Sequence, residues 1–327
     1  MNISSARALA CAVATAGAIL LSGAAKAQII YRTEVHPVQT VTLSTADFLL
    51  GKKDGKPTTI AGELRIPRPS GSERMPAVLM VHGSGGINSG HIMWAADINK
   101  AGFAVFLLDS FAARGITSTV AEQDQLSSHA MMNDAYAALA LLAKHPRIDP
   151  QKIAVMGFSK GAIPSLYASM NRFQSTYAPE GASFAAYIGF YTPCNIALID
   201  DEKVSAKPIR LYHGAADDWV PAAPCRDYTA RLKKAGADVT LIEYPGAYHA
   251  FDNETIKGTL QIPQAQTWRK CNFEEKSLGV IVNTGTGKPA DFSDPCIERG
   301  VTVAYNAEAT DAARKDVVEF LTKVFTK

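Results

Sequence analysis

The sequence predicts an α/β fold: a doubly wound, mostly parallel sheet with an N-terminal antiparallel edge and an insertion before the last helix. Three observations predict it. Short apolar segments alternate with helical patterns from Ala77 onward, a glycine-bounded hairpin pattern precedes them, and the rhythm breaks over residues 252–306. Strands that alternate with helices pair in parallel through crossovers.

Residues 40–48 and 58–65 alternate in polarity or are β-branched, and Gly51-Lys52-Lys53-Asp54-Gly55 separates them, as in an edge hairpin. Residues 77–81, 104–108, 153–156, 185–190, 209–212 and 239–243 are continuous apolar or β-branched runs. Strands buried on both faces read this way. Helices are expected over 131–144, stopped by His145-Pro146, over 224–235, ended by Gly236, and over 307–325. Residues 252–306 hold Trp268, Cys271, a Gly/Thr/Asn-rich stretch over 283–287 and Cys296, and read as an insertion.

The 327 residues are 47% hydrophobic and 20% charged, enough for one large core, so residues 28–327 are read as a single domain. Residues 1–27 carry Arg7, an apolar run over 8–21 and Ala25-Lys26-Ala27, the order of a cleaved signal peptide. The run is shorter than the roughly 20 residues of a spanning helix, so no stable membrane anchor is expected. A periplasmic or secreted location follows. Of the 33 Lys and Arg, two lie in this leader, which leaves 31 against 31 Asp and Glu. A neutral chain lacks the electrostatic footprint of a nucleic-acid binder.

Gly157-Phe158-Ser159-Lys160-Gly161 is a G-x-S-x-G pentapeptide between a predicted strand and a helix-compatible run over 162–169. In that context it is a nucleophile elbow, where a side chain at either glycine would collide as the turn tightens. A serine hydroxyl needs a base, and the base needs an orienting acid. Among seven histidines, only His249 follows a candidate acid and lies in the loop after the last strand. Asp217 and Asp218 are both available in the loop after the preceding strand, where they cannot point the same way; Asp218 reads as a turn or cap residue before Pro221. Both loops sit at the carboxyl edge of the sheet, where ligands bind. An oxyanion needs donors. The Lys160 N–H is one candidate; the other comes from His82-Gly83-Ser84-Gly85-Gly86, with Ser84 first and Gly83 and Gly85 beside it. No H-E-x-x-H or C-x-x-C occurs, so no metal is expected.

With these segments in place, the chain resembles the dienelactone hydrolase family of α/β-hydrolases over nearly its whole mature length. The resemblance rests on residues 81–86, Asp109-Ser110-Phe111 with Arg114-Gly115, residues 145–150, the pentapeptide 157–161, residues 214–217 with Val220-Pro221, and Tyr244-Pro245 with His249-Ala250-Phe251. It implies Ser159 as nucleophile, Asp217 as acid and His249 as base, and so favours Asp217 over Asp218. The enzyme that names the family has cysteine in the elbow, where this chain has Ser159. Serine with a histidine base suits ordinary esters and survives oxidation outside the cytoplasm, so a small-molecule carboxylic ester is the expected substrate, with no cofactor. An acyltransferase using the same triad and a non-catalytic exported binding protein are the alternatives. Trp219, Trp268, Tyr248 and Phe111 are candidate pocket aromatics.

Beyond the leader the chain has Cys194, Cys225, Cys271 and Cys296, which in an exported protein read as two disulfides with three possible connectivities. The predicted fold puts Cys194 and Cys225 at the carboxyl edge of neighbouring strands, which favours that pair. Cys271 and Cys296 then pair by elimination within the insertion.

Overall fold

A computed structural model describes residues 31–67 and 73–326. The leader expected over 1–27 lies outside the described residues. Strands β1 (Tyr31–Thr42) and β2 (Lys56–Pro67) form the edge hairpin, antiparallel throughout. The expected strand over 40–48 is corrected: the chain leaves β1 at Thr42, and Thr45–Leu49 is a short helix, α1. Ser44 caps it by accepting the Asp47 N–H at 3.1 Å, a bond typically worth about 1 kcal/mol, and Phe48 and Leu49 turn into the core.

The chain continues through β3 (Met75–Val81), α2 (Ser89–Lys100), β4 (Ala104–Asp109), α3 (Ser128–Lys144), β5 (Ile148–Phe158), α4 (Ala162–Tyr167), α5 (Asn171–Tyr177) and β6 (Ala186–Phe190). A two-residue strand β7 (Ile196–Ala197), β8 (Ile209–Gly214), α6 (Ala223–Lys234) and β9 (Val239–Tyr244) follow. The main sheet has the order β1-β2-β4-β3-β5-β6-β8-β9. Pairing is antiparallel through β4 and parallel from β4 to β9. Helices α3, α4 and α6 pack against one face, and α2 with the C-terminal α7 (Ala307–Phe325) against the other. Two apolar layers result, which is why β4 and β6 carry no polar face.

The stretch over 252–306 folds as β structure. β10 (Thr259–Thr267) pairs antiparallel with β13 (Glu298–Ala304), and β11 (Phe273–Ser277) forms a hairpin with β12 (Val280–Asn283). β11 also runs parallel to β7, and Glu275 accepts from both terminal guanidinium nitrogens of Arg172 at 2.7 and 2.8 Å, so the insertion is fastened to the main domain. Cys194 bonds to Cys225 and Cys271 to Cys296, with Cα separations of 5.0 and 5.2 Å. These are the expected partners. No helix among the described residues is long and apolar enough to cross a membrane.

Candidate active site

The elbow is built by two glycines and one strained residue. At the end of β5 the chain turns so sharply that a Cβ on Gly157 would lie 2.0 Å from the Gly161 carbonyl oxygen. A Cβ on Gly161 would lie 2.4 Å from the Val81 carbonyl oxygen on the neighbouring strand. Between them Ser159 adopts φ 52°, a left-handed conformation that a non-glycine residue holds only when its surroundings over-determine it. The turn lifts the serine hydroxyl above the sheet.

His249 meets that hydroxyl from the loop after β9. Its Nε2 lies 3.0 Å from Ser159 Oγ, and its Nδ1 lies 2.8 Å from Asp217 Oδ2 in the loop after β8. A carboxylate only accepts, so Nδ1 carries the proton and Nε2 is left to accept from serine. The other Asp217 oxygen accepts the Trp219 and Val220 N–H groups at 2.9 and 2.8 Å, which fixes the carboxylate plane. His249 and Asp217 are buried. The Ala304 N–H donates to the His249 carbonyl at 3.4 Å, so the insertion supports the histidine's backbone.

Asp218 does something the sequence reading did not foresee. It caps no turn; its two oxygens accept the N–H and the hydroxyl of Thr302 in β13. His213, the other strand-end histidine, is fully buried and bonds through Nε2 to the Val220 carbonyl at 2.7 Å, and burial pushes its imidazole below the ordinary value. Nothing in the sequence marks Tyr191, and Asp252 lies too close to His249 in the chain to be read as its partner. The Tyr191 ring lies 4.4 Å from the His249 ring, and its hydroxyl donates to Asp252 at 3.0 Å. Asp252 also accepts the Trp94 indole N–H at 2.6 Å, and burial raises its carboxyl.

The glycine-rich turn after β3 touches the elbow. A Cβ on Gly83 would meet the Phe158 carbonyl oxygen at 3.0 Å and Ser159 Cβ at 3.3 Å, so a side chain there would press on the elbow by a few tenths of an ångström. Ser84 and Lys160 line the pocket that holds Ser159, whereas Gly85 lines neither chamber described below. Beyond its backbone, Lys160 ties the site together. Its Nζ donates to the Gln123 carbonyl at 2.6 Å and to Thr119 Oγ1 and Gln123 Oε1 at 3.3 Å, while Ser84 Oγ donates to Gln123 Oε1 at 2.9 Å. Burial pulls the ammonium down to about 7, against the opposing pull of Asp124.

Two adjoining chambers open at this edge. The smaller, about 50 Å³, is lined by Ser159, Ser84, Lys160, Trp219 and Trp268. The larger, about 460 Å³, shares Gln123, Lys160, Ile163 and Trp268 with it and is walled by the insertion through Phe273, Ile281 and Ile297. Of the four expected pocket aromatics, Trp219 and Trp268 line these chambers; Phe111 packs into the core, and Tyr248 lines neither.

Glu34, His36 and His145 form a cluster whose atoms lie within 4.8 Å of one another, close enough to hold a metal. The bonding argues otherwise. His145 Nδ1 accepts the Arg147 N–H at 3.2 Å, so the proton sits on Nε2 and faces Glu34 at 3.1 Å, with no lone pair to offer there. The cluster is a hydrogen-bonded knot between β1 and the end of α3.

The chain belongs to the dienelactone hydrolase family, whose model matches residues 63–325. As a member of that family it is a carboxylic ester hydrolase of the α/β-hydrolase fold. It is 25% identical over 225 residues, 63% of this chain and 87% of the other, to a Bradyrhizobium protein named "Probable 2-oxo-3-(5-oxofuran-2-ylidene)propanoate lactonase". Among solved structures it superposes on the dienelactone hydrolase-like promiscuous phosphotriesterase P91 from metagenomic libraries, with TM-score 0.57, 17% identity and coverage of 90% of this chain and 99% of that one. Esterase 2 of Thermogutta terrifontis, phosphoramylated by tabun, gives TM-score 0.50 at 19% identity, covering 68% and 86%. At these identities the two structures show the shared fold.

Proposed function

We propose that the protein is an exported serine esterase that cleaves small carboxylic esters through an acyl-enzyme on Ser159. One observation carries this reading: the unbroken line from Asp217 to His249 to Ser159, with contacts of 2.8 and 3.0 Å, at the carboxyl edge of the sheet. His249 takes the Ser159 proton as Oγ attacks the ester carbonyl, and Asp217 stabilises the imidazolium. The N–H groups of Lys160 and Ser84 receive the oxyanion, and the protonated His249 returns its proton to the leaving alcohol. Water then attacks the acyl-enzyme with His249 again as base. Serine in the elbow, where the founding enzyme of the family has cysteine, fits ordinary esters and an oxidising compartment. The leader over 1–27 and the two bonded cysteine pairs support export.

The experiment is steady-state hydrolysis of a panel of nitrophenyl and aryl esters by the mature chain and its Ser159→Ala variant. Loss of the nucleophile is expected to lower kcat by about 10⁴ or more while the circular dichroism spectrum stays unchanged. A variant that keeps a tenth of the wild-type rate would remove Ser159 from the mechanism.

A further inference from the structure

The larger chamber has a floor unlike its walls. Leu43, Leu126, Ile163 and Phe273 are buried apolar sides, whereas Asp124, Asp291 and Phe292 are exposed and mark the mouth. His129, in the first turn of α3, sits among the buried lining residues at 5% exposure. Its ring packs against Phe48 with centroids 5.4 Å apart, and its nitrogens hydrogen-bond to no group among the described residues. Polar groups inside a folded chain normally find partners, so an imidazole at 5% exposure whose nitrogens bond to no described group and open onto a mostly apolar chamber of about 460 Å³ points to a ligand.

The chemistry of that ligand follows from the imidazole. Burial pushes His129 down to about 4, with Glu275 and Arg172 pulling in opposite directions, so at neutral pH it offers one donor and one acceptor and no charge. A carboxylate would gain no ion pair from it, and the Lys160 ammonium in the shared wall already donates to the Gln123 carbonyl and side chain and to Thr119; an ammonium would find no buried carboxylate among the lining residues. A neutral hydroxyl can donate to one nitrogen or accept from the other. The chamber adjoins the pocket of Ser159 across Gln123, Lys160, Ile163 and Trp268, so one end of a substrate can occupy it while the other meets the nucleophile.

We propose that this chamber is the subsite for the distal arm of the ester, and that the arm is an apolar group ending in a neutral hydroxyl, as a phenolic ester carries, hydrogen-bonded to His129. The assignment rests on the esterase reading above for its link to turnover, and on the chamber itself for binding.

Two measurements separate these. Calorimetric titration of the mature chain with 4-propylphenol and with propylbenzene should show the phenol binding about tenfold more tightly. The gap should close in His129→Phe, return in part in His129→Gln, and both ligands should be lost in Ile281→Trp, which fills the chamber from the insertion. In kinetics, methyl 3-(4-hydroxyphenyl)propanoate should exceed methyl 3-phenylpropanoate in kcat/KM by a similar factor, through KM, with the same response to the variants; the matched arylpropyl acetates place the arm on the alcohol side if they carry the preference instead. Equal binding of phenol and hydrocarbon, or a gap that survives His129→Phe, would overturn the proposal even if ester hydrolysis is robust. A phenol-selective chamber in a protein that turns over no ester would keep the subsite and overturn the esterase reading.

Discussion

Asp218 holds Thr302 with both carboxylate oxygens: Oδ1 accepts the Thr302 N–H and Oδ2 its hydroxyl, each at 2.8 Å. Its neighbour Asp217 turns the other way, to His249. Two adjacent aspartates thus serve different structures, one the histidine and one the insertion strand behind it.

The two should separate cleanly on substitution. Asp217→Asn is expected to lower kcat by about 10⁴, because the amide no longer selects the Nδ1–H tautomer. Asp218→Asn should leave kcat within about tenfold and cost about 1–3 kcal/mol of stability, since a partner group in β13 loses its acceptor. Steady-state rates and urea unfolding of both variants check this, and a reversed ranking in rate would make Asp218 the acid.

The disulfides should report on the site and on its wall separately. Cys194–Cys225 joins the loop after β6 to the start of α6, beyond the loop that holds Asp217, so opening it with Cys225→Ser should lower activity at temperatures where the far-ultraviolet spectrum is unchanged. Cys271–Cys296 closes 25 residues, and its removal should cost about 3 kcal/mol in the chain-entropy model. Non-reducing peptide mapping checks the connectivity. A Cys194 peptide linked to Cys271 or Cys296 would contradict it.

Acid should destabilise the fold through its buried imidazoles. His91 is held down to about 3 and His129 to about 4, in both cases chiefly by burial. Below the ordinary value of 6.5 the unfolded chain takes up protons that the folded chain refuses, so stability falls as pH drops from about 6.5 towards 4. Each such histidine contributes a slope of at most about 1.4 kcal/mol per pH unit. His91 also closes the capping box of α2 through Nδ1, which accepts the Asn88 N–H at 3.1 Å. His91→Gln keeps a side chain suited to that box and removes the titration, so its urea midpoint should decline less steeply between pH 6.5 and 4.5. Parallel slopes would show that His91 takes up its proton as readily in the folded chain as in the unfolded one.

Much of this was legible because it is local. The buried strands announce themselves as apolar runs, the helix patterns over 131–144 and 224–235 carry their own stops at His145-Pro146 and Gly236, and the elbow is five consecutive residues. The stretch over 40–48 was misread because its Thr and Val residues continue the β pattern of the preceding strand, while the helix after Thr42 is decided by one capping hydroxyl at Ser44. The role of Asp218 was hidden because Thr302 lies 84 residues away. The large chamber was hidden for the same reason. Its lining comes from β1, the 123–129 stretch, α4 and the insertion, and no spacing in the sequence marks such a set.

Acylation of Ser159 Oγ is the step on which every role assigned to the site depends. Protein mixed with a fluorophosphonate, and separately with a slowly deacylating nitrophenyl ester, should gain one adduct per chain by intact mass. Peptide mapping should place it on Ser159, with no adduct in Ser159→Ala and formation slowed by about 10³ or more in His249→Ala. An adduct on any other residue, or ester turnover with Ser159 unmodified under conditions that trap the intermediate, would contradict it.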